Sequence, residues 1–381
     1  MSKRFYTLLM IFLLAAGSAT IVKAAEGLSR VRMGVILPLK ERTPRGQKMV
    51  EFYQGMLMAV DSMKHKGLSV DVVAMHSGAT ASEMDALLNS TSLADCDIIF
   101  GPLDGQQIPI LSDYCDIHGI RLVVPFSSIT NHLTGRPLQY VISAPRYNIQ
   151  QSGAWFLGEL FNNCHFVMVD TKQADSEGAA FAEQVRTTLN KKGLFARQLP
   201  IDGDDMAFET AINPLRRNVI VLNSSTIKAI NTLLPRLKDY KQQHPDVQLT
   251  LFGYPSWQTY TSQLLTDFYQ FDTHIFTTFY RNPLERHNRD FENSFLSWFH
   301  RPMGNTFPRY GTLGFDLAYF FLSGLSTYGE ELESNLGSMH IQPLQTPLSF
   351  TRYDEENGFI NTFVEIVHYT TAQSIELMTR Q

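Results

Sequence analysis

The 381-residue chain has few cysteines, few charged residues and no excess of basic residues. Its three cysteines cannot form a disulfide framework, which excludes the small disulfide-stapled secreted domains. Charged residues make up 18% of the chain, against the roughly 25% that is usual for soluble proteins. The formal net charge of −5 gives no electrostatic footprint for nucleic acid, so we expect no nucleic-acid partner.

Local catalytic and metal-binding motifs are missing as well. The histidines form no His-x-His or His-Glu-x-x-His pair and the cysteines no Cys-x-x-Cys pair, so sequence-local ligands predict neither a metal site nor a cofactor. There is no Gly-x-Ser-x-Gly elbow and no Walker-type phosphate loop. Without a nucleophile and base pattern, we expect a protein that is not an enzyme.

The one long hydrophobic run lies at the N-terminus and has the layout of an export signal. Lys3 and Arg4 precede an apolar run over residues 8–16, and the small-residue segment "VKA" ends at Ala24. The run is shorter than the roughly 20 residues of a membrane-spanning helix. We therefore expect cleavage near Ala24, no transmembrane segment in the mature chain and a periplasmic location. The alternative is an uncleaved N-terminal anchor.

Beyond this segment the chain alternates between strand and helix patterns. Continuous apolar runs such as "VRMGVILPL" (31–39) and "IRLVVPF" (120–126) are typical of strands buried on both faces. A helical pattern at 49–67 follows the first of these runs and ends at a glycine. The alternation restarts with the strand "HFVMVD" (165–170) and the helix at 177–193. Such repetition predicts two doubly wound α/β lobes with mostly parallel sheets.

Two cysteines lie at the same end of one predicted strand–helix unit. Cys96 precedes the strand that begins at Ile98, and Cys115 lies near the end of the helix that follows. In an oxidising compartment a single bridge between them fits this placement, and so do two free thiols. The sequence leaves both alternatives open.

The order of several segments resembles that of type I periplasmic binding proteins, which include the branched-chain amino-acid receptors of ABC transporters. "VRMGVILPL", "FYQGMLMAVD" and residues 96–128 are similar to the first lobe, and residues 165–185 to the start of the second. Residues 293–325 resemble the segment that returns to the first lobe, with Gly314-Phe315-Asp316 in place of the family's Gly-Tyr-Asp. The same fold serves in activators of penicillin-binding proteins and in LysM-linked relatives.

The resemblance implies two lobes joined by three crossovers, with a ligand held in the cleft between them. After a signal peptide at 1–24, it places residues 27–146 and 280–336 in lobe one. Residues 147–279 and 337–381 then form lobe two. Hinge closure around the ligand is the motion that such a layout permits.

The resemblance also implies ligand contacts on lobe one. Asp104, Gly105 and Gln106 follow a Gly-Pro corner where the family's receptors bind the ligand carboxylate. Either these residues contact the ligand, or Asp104 caps the helix that follows. Ser127 and Ser128 correspond to the hydroxyls of a second contact loop.

On lobe two, Glu177 stands before a glycine where the receptors commonly have an aromatic residue. Tyr254 and Trp257 either replace that aromatic surface or pack in the core. With Asp104 and Glu177 facing each other across the cleft, anions would be repelled, which predicts a neutral or cationic ligand.

Two functions are consistent with this pattern. The first is an exported protein that holds a small polar solute and delivers it to a transporter or sensor, with an inner-membrane permease as partner. The second is a cell-envelope interaction module that binds a protein partner and regulates peptidoglycan enzymes, with a vestigial cleft.

Overall fold

The computed structural model describes residues 26–91 and 93–379. The predicted signal peptide and its cleavage site lie outside the described residues. Within them, no helix is long and apolar enough to cross a membrane.

The strands form two seven-stranded sheets, one in each lobe. The strands of the lobe-one sheet are β1 (Arg30–Leu37), β2 (Ser69–His76), β3 (Ile98–Phe100), β4 (Arg121–Val124), β5 (Gln139–Val141), β11 (Phe350–Thr351) and β12 (Phe359–Asn361). Those of the lobe-two sheet are β6 (His165–Asp170), β7 (Ala196–Pro200), β8 (Asn218–Leu222), β9 (Leu249–Gly253), β10 (Thr273–Thr277), β13 (Glu365–Tyr369) and β14 (Ile375–Thr379).

Both sheets are mostly parallel, as the alternating pattern predicts. Their strand orders are β11-β12-β5-β4-β3-β1-β2 and β14-β13-β10-β9-β8-β6-β7. Among the described residues, the antiparallel pairs are β11–β12 in the first sheet, and β10–β13 and β13–β14 in the second. The predicted fold class, two doubly wound lobes joined by three crossovers, is confirmed.

Helices cover the faces of both sheets. Those of lobe one are α1 (Pro44–His65), α2 (Ala81–Ser90), α3 (Ile108–His118), α9 (Arg286–Phe299), α10 (Tyr310–Tyr328) and α11 (Leu332–Asn335). Those of lobe two are α4 (Arg146–Leu160), α5 (Ser176–Lys191), α6 (Asp205–Ala211), α7 (Ile227–Gln243) and α8 (Thr261–Gln270). Each lobe has its own hydrophobic core.

Polar caps decide where several helices begin. The Thr43 side chain accepts a hydrogen bond from the Gly46 N–H, so α1 begins five residues before the predicted start at Met49. Asp175 caps α5 in the same way through the Gly178 N–H at 2.8 Å. Capping residues thus extend helices beyond the part that hydrophobic periodicity reveals.

The third crossover lies farther along the chain than the resemblance implied. β12 pairs in parallel with β5, and β11 pairs with β12, so both belong to the lobe-one sheet. The chain enters lobe two only between Asn361 and Glu365. The predicted boundary at residue 337 is therefore wrong, because two short strands after residue 348 complete the edge of the first sheet. The first two crossovers follow β5 and β10, close to the predicted positions.

The cysteines are free thiols in this structure. Cys96 and Cys115 are buried together in the lobe-one core, and burial raises the pKa of Cys96 to about 11. Of the two alternatives left open by the sequence, the structure shows the unbridged state.

Candidate functional site

A cavity of about 610 Å³ opens where strands of lobe one end, beside the crossovers. It is lined by Arg45, Lys48, Met49, Leu103, Asp104, Pro125, Phe126, Ile142, Ser143, Thr278, Phe279, Pro308, Tyr310, Leu313, Thr346 and Asn361. All of these belong to lobe one or to the segments that connect the lobes. The cavity occupies the place where strand order reverses between β1 and β3, the usual ligand position in open α/β sheets.

Each of the three crossovers contributes to the cavity. Ser143 follows β5, Thr278 follows β10, and Asn361 ends β12. The hydroxyl of Ser143 donates to the Pro125 carbonyl at 3.1 Å, which joins the first crossover to the loop after β4. A molecule in this cavity would therefore contact every segment that must bend when the lobes move.

The charged groups of the cavity are mainly basic. Arg45 and Lys48 lie in the first two turns of α1, and Asp104 is the acidic residue that faces them. The Asp104 carboxylate forms an ion pair with Arg45. Lys48 has no ion-pair partner among the described residues, and its Nζ lies 5.5 Å from the ring centroid of Tyr310. The remaining positive charge suits an anionic group.

Aromatic side chains supply the apolar part of the cavity. The ring of Phe126 lies 5.0 Å from that of Phe52 and 5.9 Å from that of Tyr310. Burial raises the pKa of Tyr310, so its hydroxyl stays protonated at neutral pH. The N–H groups of Gly304 and Gly311 donate to buried Glu51, which fixes the loop that ends at Tyr310.

Among the predicted lobe-one contacts, Asp104 alone lines the cavity. It does not cap the following turn, since its side chain forms no capping hydrogen bond, so the capping alternative is wrong. Gly105 and Gln106 are exposed, and Gln106 donates its Nε2–H to the Ala79 carbonyl at 2.7 Å. These two residues do not line the cavity.

The predicted serine hydroxyls lie next to the cavity rather than in it. Ser127 accepts a hydrogen bond from the Ile129 N–H at 3.1 Å, which stabilises the loop after β4. Ser128 is exposed. The residues of this loop that do line the cavity are Pro125 and Phe126. A ligand contact by either serine stays a prediction.

The two aromatic residues predicted for lobe two are in its core. Tyr254 and Trp257 have no exposed surface. The Tyr254 hydroxyl donates to the Leu222 carbonyl, and Trp257 donates its Nε1–H to the Ser225 carbonyl at 3.1 Å. The proposed aromatic surface in the cleft is therefore wrong, and the core-packing alternative is confirmed.

Glu177 lies in the first turn of α5 and is not part of the cavity lining. The acidic residue that organises this face of lobe two is Asp175. It accepts hydrogen bonds from the Ser224 hydroxyl and the Ser225 N–H, both at 2.7 Å, and joins the loops after β6 and β8. Because Asp104 is neutralised by Arg45 and Glu177 lies outside the cavity, the sequence-based argument for a neutral or cationic ligand fails.

The cavity residues missed in the sequence come from separate segments. Lys48 and Tyr310 are more than 250 positions apart and meet only because α1 packs against α10. A local signal existed in one case, since Arg45 and Lys48 open the helix after the first predicted strand, where ligands bind in such folds.

Solved structures resemble this chain over most of its length, whereas no family model and no curated protein sequence matches it. A protein from Rhodospirillum rubrum described as a branched-chain amino acid ABC transporter has 13% identity and a TM-score of 0.63, with 92% of this chain and 100% of that chain covered. An ABC-type branched-chain amino acid transporter protein from Rhodopseudomonas palustris has 14% identity and a TM-score of 0.55, with coverage of 92% and 96%. An ABC transporter substrate-binding protein from Sphaerobacter thermophilus has 13% identity and a TM-score of 0.53, with coverage of 92% and 97%.

The chain has the type I periplasmic binding protein fold. At these identities the likeness concerns the fold, and the ligand must be argued from the residues of the cavity. In this type I fold the cavity lies on the lobe-one side of the cleft, at the hinge.

Proposed function

We propose that this protein is an exported, non-catalytic binding protein that holds a small polar solute between its lobes. It delivers the solute to an inner-membrane permease or to a sensor. The observation that carries this proposal is the cavity to which all three crossovers contribute. Its volume of about 610 Å³ lies within the range of roughly 300–1,000 Å³ that is usual for small-molecule sites.

The chemistry of the cavity favours a solute with an anionic group and an apolar body. Lys48 and the N-terminal turn of α1 attract negative charge, since the helix dipole is positive there. Phe126 and Tyr310 offer apolar surface beside that charge. The structural neighbours named as ABC transporter proteins support a delivery role, and none of the comparisons supports regulation of peptidoglycan enzymes.

A thermal-shift screen of small carboxylates, each paired with its neutral amide, tests the proposal. We expect stabilisation by a carboxylate with an apolar or aromatic body and little effect of its amide. A ligand at 100 times its dissociation constant stabilises the fold by about 2.7 kcal/mol. Replacing Lys48 by Gln should weaken binding roughly tenfold or more, because a charge-assisted hydrogen bond contributes about 1.5–3 kcal/mol.

Lys64→Gln is the matched control, since Lys64 is an exposed lysine in the last turn of the same helix. It should leave the affinity unchanged. Equal weakening by both variants would show a nonspecific charge effect. If no carboxylate or amide stabilises the protein, the solute-binding function itself is contradicted.

A further inference from the structure

Three metal-ligating side chains meet in lobe two, at the end of its sheet that lies away from the cleft. Asp272 directly precedes β10, His274 belongs to β10, and His368 belongs to β13. One ligand atom from each residue lies within 4.8 Å of the other two. We propose that Asp272, His274 and His368 bind a divalent transition-metal ion of the Zn²⁺ class.

Strand pairing holds the two histidines in place. His274 and His368 are direct partners in the antiparallel β10–β13 pair, and their ring centroids lie 3.8 Å apart. The His274 side chain is buried, while those of His368 and Asp272 keep 13% and 14% of their surface exposed. The site is thus mostly desolvated but still open to an ion from solvent.

The hydrogen bond of His274 fixes its tautomer. Its Nδ1 lies 2.8 Å from the backbone carbonyl oxygen of Asp272, which can only accept a hydrogen bond. The proton of the neutral ring is therefore on Nδ1, and the lone pair is on Nε2. A backbone carbonyl bound to the other ring nitrogen is one of the usual ways in which proteins orient a metal-binding histidine.

His368 has one ring nitrogen without a partner. Its Nε2 donates to Asp272 Oδ1 at 2.8 Å, whereas its buried Nδ1 forms no hydrogen bond. The carboxylate of Glu376 lies nearby, with Oε2 at 3.8 Å from this Nδ1. When a metal ion takes Nε2, the ring proton moves to Nδ1, and a small movement of the exposed Glu376 side chain provides its acceptor. The number of bound protons does not change.

The carboxylate of Asp272 is oriented from its other side. Oδ2 pairs with Arg217 and accepts a hydrogen bond from the Thr250 hydroxyl at 3.2 Å, which leaves Oδ1 directed at the histidine. Two imidazoles and one carboxylate are a common ligand set for Zn²⁺ with a fourth position left for water. Hard ions such as Mg²⁺ and Ca²⁺ prefer oxygen ligands alone. The positive charge of Arg217 lowers the affinity, so the site requires a strongly bound ion of the Zn²⁺ or Cu²⁺ type.

Calorimetric titration of the mature full-length protein with Zn²⁺, after treatment with EDTA and dialysis, tests this site. We expect binding of a single ion and an increase in the unfolding temperature. His368→Gln should weaken binding by more than about tenfold, because it removes a ligand. Glu376→Ala keeps every ligand but removes the acceptor for Nδ1–H, and should still weaken binding by roughly tenfold, as loss of an outer-shell partner does.

His244→Gln is the control, since His244 is another lobe-two histidine next to a carboxylate, with Nε2 at 3.1 Å from Glu209 Oε1. It should bind Zn²⁺ as the wild type does. If His368→Gln does not fold, Glu376→Ala alone decides, because this exposed residue is not part of the core. Absence of Zn²⁺ binding, or binding that neither His368→Gln nor Glu376→Ala weakens, overturns the proposal.

Discussion

Replacing Asp316 by Ala should lower the free energy of unfolding by about 3–5 kcal/mol. Asp316 lies in α10 and is 5% exposed. Its carboxylate accepts three backbone hydrogen bonds, from Leu344, Gln345 and Thr346, at 2.8–2.9 Å. Ala would leave three N–H groups without partners in a buried position, and each such group costs about 1–3 kcal/mol. Equilibrium denaturation followed by circular dichroism measures the change.

Asn at position 316 should cost less than Ala. Burial raises the pKa of Asp316 to about 7, although the three N–H bonds act in the opposite direction. Because this pKa lies near neutrality, a neutral amide resembles the native side chain more closely than Ala does. The amide also keeps one acceptor oxygen. Asp354→Ala is the matched control, since Asp354 accepts N–H bonds from Glu356 and Asn357 in an exposed turn. A loss at Asp354 as large as that at Asp316 would contradict the role assigned to burial.

The second large effect is expected at Gly314, where α10 packs against α1. A Cβ at this position would lie 1.9 Å from the Phe52 carbonyl oxygen, and one at Gly55 would lie 1.8 Å from the Gly311 carbonyl oxygen. Backbone atoms cannot move aside without separating the helices. Gly314→Ala should therefore lower the free energy of unfolding by about 3 kcal/mol or more, or prevent folding.

Soluble yield and equilibrium denaturation report this loss. Gly337→Ala is the control, because a Cβ at Gly337 would have no atom within 4 Å. We expect the control to be as stable as the wild type. If Gly314→Ala were equally stable, α1 and α10 would have to pack less closely than the structure shows.

Gly314 and Asp316 have structural roles that the sequence did not reveal, since it showed only that their motif resembles one in the family. In the segment Gly314-Phe315-Asp316, the glycine permits close helix packing and the aspartate holds the chain that leads to β11. Gln345 in that chain also accepts a hydrogen bond from the Tyr280 N–H in the second crossover, at 3.1 Å. The motif therefore serves the architecture of the hinge.

Strands and lobes could be predicted because their signals are local. A continuous apolar run such as that at β1, or at β6, identifies a buried strand without knowledge of its neighbours. β12 has three residues, too few for any periodicity, and its place in the first sheet depends on pairing with β5. The third crossover could not be located without that pairing.

The site was less predictable because its residues meet only in the folded chain. The sequence placed Asp104 near a ligand but could not show that Arg45 neutralises it. This ion pair reverses the expected charge of the ligand. Aromatic residues after a strand suit either a binding surface or a core. Only the buried positions of Tyr254 and Trp257 decide between these alternatives.

The composition of the cavity lining has a kinetic consequence. Because lobe two itself supplies none of the lining residues, the solute meets a preassembled half-site before the lobes close. Association then separates into a rapid docking step, which depends on concentration, and a slower isomerisation, which does not. In stopped-flow fluorescence we expect the observed rate to level off at high solute concentration, at the rate of lobe closure. A strictly linear dependence would show that docking and closure occur as one event.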